Sequence, residues 1–225
     1  LKAFVITLED HAYSEAKSRR CIESAWKFGQ VVERFTAVPA IRSEAVMRGF
    51  GLRWTWANGN KSDAVCPTTK LKQHPYGNLA AKIGCSMSHY LLWRHCMDLD
   101  EQILILEHDA VFIAPLPEVA FSRICQINDP RGATPRGDWW SDHMAARGPG
   151  VWPVTHIFPD DKPDGLAGNS AYLVKPRAAE QLVTAFHQIG VWPNDATMCR
   201  QLFPDLQELY PFVTKVEQEQ STTCV

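Results

Sequence analysis

Short apolar runs alternate along this chain with longer stretches in which apolar residues recur every three or four positions, the pattern of strands feeding helices. AFVITL (residues 3–8) is β-branched and apolar, and the stretch after it, to about Gly29, carries helix formers with Ile22, Trp26 and Phe28 among charges. ERFTAV (33–38), closed by Pro39, predicts a second strand, so the chain opens as strand, helix, strand, the start of a parallel layered α/β sheet. Residues 51–78, rich in Gly, Asn, Pro, Trp and Lys, show no period and predict irregular surface structure. A helix is predicted from Leu79 to about Leu99, with Cys85, His89, Leu92 and Cys96 near one face, and a buried strand begins at Ile103. PLPEVAFSRICQI (115–127) predicts a short helix with Pro at its start, and residues 128–165, holding Trp139, Trp140, Trp152 and six prolines, a second irregular region. SAYLV (170–174) predicts a strand. KPRAAEQLVTAFHQIG (175–190) predicts a helix with Pro176 in its first turn and Gly190 just past its end. A short helix opened by Asn194 or Asp195 and a late strand near LYPFVT (209–214) complete the pattern.

No linker divides the 225 residues, a length that suits one domain with a substantial core. The 45% hydrophobic and 21% charged content is that of a soluble protein, and no apolar run approaches the roughly 18 to 20 residues that cross a bilayer. A net charge of -2 gives no global field for nucleic acid, so a polyanion would have to be held by a local patch. Seven cysteines with no CxxC pair argue against a disulfide framework and against a zinc ribbon. Cys85 and Cys96 lie three helical turns apart, roughly 16 Å, too far for one ion to bridge. With no basic segment leading into an apolar one at the start, the expected location is cytoplasmic and reducing.

The chemistry concentrates in ILILEHDAVF (103–112), where an aliphatic run meets Glu107, His108 and Asp109 before turning apolar again. In a parallel sheet, ligands bind beyond the carboxyl ends of the strands. Side chains alternate along an extended chain, so Glu107 and Asp109 point to one side and His108 to the other. Two carboxylates so placed can hold a hard divalent cation, which would neutralise a diphosphate leaving group. The plainer reading is that these acids close the strand and start a turn.

KIGCSMSHYLLW (82–93), followed closely by ILILEHDAVF, resembles the family 25 glycosyltransferases, the group containing lipopolysaccharide and collagen galactosyltransferases. That family's pattern is a Gly-Cys-x-x-Ser-His helix followed by a strand ending Leu-Glu-Asp-Asp-Ala. AFVITLED, RFTAV, GLAGNSAYLVKPRAAEQLV (165–183), WPNDATM and VEQEQSTT extend the resemblance over about two thirds of the chain, leaving the two irregular regions unmatched. It implies a GT-A fold, Rossmann-like with a mostly parallel central sheet flanked by helices, in a single domain spanning 1–225. The implied reaction transfers a hexose from a UDP-sugar to an acceptor hydroxyl with inversion, with Mn²⁺ (or Mg²⁺). His108 stands where the family has Asp.

Carried over by position, Asp109 matches the last acid of the metal motif and Glu107 the first, which holds metal, water or donor sugar. Ser88 and His89 match the Ser-His pair, set to bind donor phosphate or to orient the acidic strand from the neighbouring helix, or, for His89, to sit in the core with a satisfied hydrogen bond. Thr7, Leu8 and Arg20 fall where the first strand and a following basic residue approach the nucleotide, with Arg19 competing for the role of Arg20. Gly168, Asn169 and Ser170 would let backbone approach the donor sugar or form a plain turn. Asp195 is the first candidate for general base on the acceptor, against helix capping beside Asn194; Asp160, Asp161 and Asp164 are alternatives. Glu217, Gln218 and Gln220 resemble the family's Gln-rich close. The acceptor the family implies is a glycan such as a lipopolysaccharide core. A nucleic-acid acceptor, raised by Arg131, Arg136, Arg147 and the nearby tryptophans, and a protein hydroxyl are alternatives, as is a silent member that binds nucleotide-sugar without transfer.

Overall fold

In the computed structural model, which describes residues 1–57, 64–73 and 77–217, the chain begins β1 (Lys2–Thr7), α1 (Ala12–Trp26), β2 (Glu33–Thr36), α2 (Ala40–Gly49), β3 (Ala64–Val65) and β4 (Lys72–Gln73). It continues through α3 (Leu79–Leu99), β5 (Ile103–Glu107), β6 (Ala110–Phe112), β7 (Ile124–Gln126), α4 (Gly137–Arg147) and β8 (Gly150–Pro153). It ends with β9 (Ala171–Val174), α5 (Pro176–Ile189), α6 (Asn194–Thr197), β10 (Leu206–Tyr210) and β11 (Thr214–Val216). Seven strands form the main sheet in the order β2-β1-β5-β9-β7-β10-β8. β2, β1, β5, β7 and β10 run one way and only β9 and β8 oppose them, a mostly parallel sheet as expected.

Alternation along the strands builds the layers. Ile103 and Ile105 of β5 join Phe4 and Ile6 of β1 in a core with α3 and α5, whereas Leu104 and Leu106 join Ala3 and Val5 in a core with α1 on the other face. α1 buries Ser14, Lys17, Ser18, Cys21, Ser24 and Ala25, mostly small residues at three- and four-residue spacing, which seats it close to the sheet. α3 is capped by Asn78, whose Oδ1 accepts from Ala81 N at 3.1 Å, and is buried on most sides. At Gly84 a Cβ would stand 2.5 Å from Val38 O, so glycine lets α3 lie directly on the backbone after β2. α5 starts at Pro176 and buries Ala178, Ala179, Leu182 and Phe186; it stops at Gly190, whose φ of 92° suits glycine.

The structure departs from the sequence expectation in four places. Residues 115–127 form no helix: Pro115 and Pro117 disfavour helical backbone at the residues before them, and Ile124–Gln126 is a wholly buried strand between β9 and β10. Residues 128–165 are not irregular throughout, because α4 buries Gly137, Trp140, Ser141 and Met144 at helical spacing and β8 pairs with β10. Between residues 51 and 78 the described part contains a short β3-β4 pairing. The late strand is two strands: β10 joins the main sheet, and β11 pairs with β6, the apolar continuation of the acidic strand end. The six described cysteines are free; Cys224 lies outside the described residues.

Candidate active site

β2, β1 and β5 end together, where an α/β sheet places its ligands. Because β9 runs against β5, it starts at that same end, and residues 168–170 arrive beside the end of β5: Glu107 N donates to Ser170 O at 2.8 Å. One reversed strand thus joins two segments far apart in sequence.

Two cavities open there. One of about 270 Å³ is lined by Glu107, Asp109, Gly168, Asn169, Ser170 and Asp195, together with Lys82 and Asn194. The other, of about 400 Å³, lies over the ends of β1 and β2 and is lined by Leu8, Ser88, His89 and His108, together with Glu9, Asp10 and His11. Glu107 and Cys85 line both. His108 faces the second cavity and Asp109 the first, so the histidine in the middle of the triplet is turned away from the cavity that the two carboxylates share.

The two carboxylates differ in how well they are compensated. Asp109 is 4% exposed and its Oδ1 has no hydrogen-bond partner among the described residues. Burial, and then the charge of Glu107, push its pKa up to about 7. For Glu107 burial acts upward as well, but contact with His89 and the charges of His108 and Lys82 prevail and hold it below its ordinary value. In the same cavity both side-chain polar atoms of Asn169 and Nδ2 of Asn194 are buried without partners among the described residues. Unpaired buried groups of this kind are uncommon, and in a cavity they are free to meet a water, an ion or a ligand. The donor set, hard carboxylate oxygens with one unpaired, fits a divalent cation such as Mn²⁺ or Mg²⁺.

The Gly-Cys-x-x-Ser-His stretch of α3 divides its tasks. Gly84 permits the close packing already described, and Cys85 Sγ donates to Asn194 Oδ1 at 3.5 Å, tying α3 to α6. Ser88 Oγ accepts from Val38 N at 2.8 Å and donates to Gly84 O at 2.8 Å, so its hydroxyl is spent on structure. His89 is fully buried, with Nδ1 2.8 Å from the Tyr172 hydroxyl and Nε2 3.4 Å from Glu107 Oε1; a core position and a contact with the acidic strand end coexist in one ring. Thr7 is buried at the end of β1, with Oγ1 donating to Val5 O, and Leu8 N donates to Ser14 Oγ.

Arg20 lines neither cavity beside Glu107. It pairs with Glu217 at 2.8 Å, and with Arg19 borders a separate hollow. Asp195 is exposed on the rim of the carboxylate cavity, where its Oδ1 also accepts from Ala196 N at 2.9 Å. The alternative acids are engaged elsewhere: Asp160 with Arg200, Asp161 with Lys72, and Asp164 with the backbone N–H groups of Ile157 and Phe158. Arg131 pairs with Asp129, Arg147 donates to Pro153 O and Trp140 is buried, whereas Trp139 is exposed. Arg136 sits at the N-cap of α4. Glu217 N donates to Asp109 O at 3.0 Å, whereas Gln218 and Gln220 lie outside the described residues.

Sequence reasoning missed Glu9, Asp10 and His11, although a polar run directly after a parallel strand is a usable signal. It also missed Lys82, Asn194 and Tyr172, which reach the site through tertiary contacts that no local pattern announces.

The model of a family described as glycosyltransferase family 25 (LPS biosynthesis protein) matches residues 1–125, from β1 through the Ser-His helix and the acidic strand end. No curated protein matches. Among solved structures, the crystal structure of mouse xyloside xylosyltransferase 1 in its apo form is 10% identical, with a TM-score of 0.38 over 91% of this chain and 83% of that one.

Proposed function

We propose that this chain, which belongs to glycosyltransferase family 25, transfers a hexose from a UDP-sugar to a glycan hydroxyl, with inversion and with a divalent cation. The observation that carries this reading is the pairing of Glu107 with the under-compensated Asp109 in one cavity that also holds Asp195 on its rim. The nucleotide lies in the neighbouring cavity over the ends of β1 and β2, and its diphosphate reaches Glu107, the residue common to both. Glu107 and Asp109 would hold Mn²⁺ or Mg²⁺, which supplies positive charge against the leaving diphosphate. Residues 168–170 line the side of the donor sugar, where Asn169 offers an unpaired amide to sugar hydroxyls.

The chain's own chemistry is then short. Asp195 takes the proton of the acceptor hydroxyl as its oxygen attacks the anomeric carbon; the bond from that carbon to the diphosphate breaks on the opposite face, which inverts the centre. A lipopolysaccharide glycan is the acceptor class in keeping with a family described by LPS biosynthesis. Calorimetry of UDP binding with and without Mn²⁺ tests the reading. Tighter UDP binding in the presence of Mn²⁺, lost in Asp109→Asn, is expected; UDP binding indifferent to Mn²⁺ would point to a silent nucleotide-binding member of the family.

A further inference from the structure

Four polar side chains run in line from the core to the cleft. Trp93 Nε1–H donates to the Tyr172 hydroxyl at 2.9 Å, that hydroxyl lies 2.8 Å from His89 Nδ1, and His89 Nε2 lies 3.4 Å from Glu107 Oε1. Trp93, Tyr172 and His89 are 0% exposed, whereas the Glu107 side chain, at 33%, reaches the cavities. Strand geometry sets the line up. Glu107 shares the face of Ile103 and Ile105, which looks toward α3, and Tyr172 on β9 pairs with Ile105, one step inward.

The directions of these bonds follow from what each group can do. An indole nitrogen only donates, so the Tyr172 oxygen accepts from Trp93 and must place its own proton elsewhere. The acceptor in reach is His89 Nδ1, and leaving a buried hydroxyl proton unplaced costs about 1–3 kcal/mol. Nδ1 therefore accepts, and the neutral ring carries its proton on Nε2, facing Glu107. At 3.4 Å Nε2 makes no hydrogen bond among the described residues, and its N–H acts on the Glu107 carboxylate only as an electrostatic attraction across that gap. With the proton on Nδ1 instead, the Nε2 lone pair would face the carboxylate oxygens and turn them away.

We propose that Trp93 and Tyr172 hold His89 as its neutral Nε2–H tautomer, and that His89 in turn aims the Glu107 carboxylate into the cavity it shares with Asp109. This rests on the reading of Glu107 and Asp109 as the cation-binding pair. His89, Tyr172 and Trp93 are positioning residues, acting on substrate only through Glu107. The relay also decides a second possibility. Ligand atoms of Cys85, His89 and Glu107 all lie within 4.8 Å of one another, as a soft-metal site would require. A metal on Nε2 would force the ring proton to Nδ1 and strand the Tyr172 hydroxyl proton, so the tautomer works against that use.

Nitrogen-15 NMR of the metal-free protein at neutral pH reads the tautomer directly, with His89→Gln identifying the His89 signals. Nitrogen shifts of the neutral Nε2–H form are expected; the Nδ1–H form or a doubly protonated ring would overturn the proposal without recourse to any variant. Calorimetric titration with Mn²⁺ supplies the second readout. Tyr172→Phe and His89→Leu, checked for folding by circular dichroism, should weaken Mn²⁺ binding by about 10- to 100-fold, the usual effect of losing a group that orients a metal ligand. His89→Gln, whose amide N–H takes the place of Nε2–H, should retain most of it. Equal Mn²⁺ affinity in wild type and His89→Leu would overturn the positioning role. If the wild type shows the Nε2–H tautomer but takes up no Mn²⁺, the relay stands on the tautomer and the cation reading falls.

Discussion

Glu208 sits 2% exposed on β10, its Oε1 accepting from Thr155 N at 3.1 Å and from Thr155 Oγ1 at 3.2 Å. Burial raises its pKa from 4.5 to about 7, the Thr155 contacts opposing that rise. A carboxyl raised in the folded state stabilises fully below its unfolded pKa and loses that contribution as pH rises to the folded value. The stability linked to Glu208 is thus complete below about pH 4.5 and gone above about pH 7. A shift of that size corresponds to about 3 kcal/mol between the two limits. Glu208→Gln keeps an acceptor for Thr155 and cannot ionise. Relative to wild type it should therefore gain about 3 kcal/mol between pH 4.5 and pH 8, or about 6–12 °C in Tm at the higher pH. Urea unfolding followed by circular dichroism at both pH values measures the difference, and changes common to both proteins cancel. A difference that does not vary with pH, or a variant less stable at pH 8, would refute the reasoning.

Three further outcomes are expected. Asp195→Asn should lower kcat by about 10²- to 10⁴-fold while leaving UDP affinity as in wild type, checked by steady-state kinetics and calorimetry. Gly168→Ala places a Cβ 2.5 Å from Ala133 Cβ at a φ of 71°, so it should cost about 1–2 kcal/mol in backbone strain alone and raise KM for the donor. Adding Ala133→Gly should recover part of the stability lost to the clash but not the part due to the backbone, as a double-mutant cycle would read. Leu182→Ala, in the core between α5 and the sheet, should cost about 2–5 kcal/mol in urea unfolding with no change in the metal dependence of UDP binding.

Elements whose local pattern agrees with their setting were legible in the sequence. α3 and α5 carry helical spacing with Asn78 or Pro176 at the start, and β5 is an unbroken aliphatic run. β7 and α4 were hidden by Pro and Gly nearby, although α4 keeps buried residues at three- and four-residue spacing. The direction of β9 could not be read at all, because nothing in SAYLV distinguishes a parallel from an antiparallel neighbour. That direction brings residues 168–170 to Glu107. The carboxylate pair was visible through alternation along one segment, whereas Tyr172 meets His89 and Trp93 across 83 and 79 residues.

The central claim is that Glu107 and Asp109 serve a cation-assisted transfer from a UDP-sugar. It is tested most directly by screening UDP-sugars for UDP release, with Mn²⁺ or a chelator, in wild type and Asp109→Asn. Release from at least one UDP-hexose by the wild type, abolished by chelation and lost in Asp109→Asn at limiting metal, is expected. Release that is unaffected by chelator and by Asp109→Asn would contradict the claim.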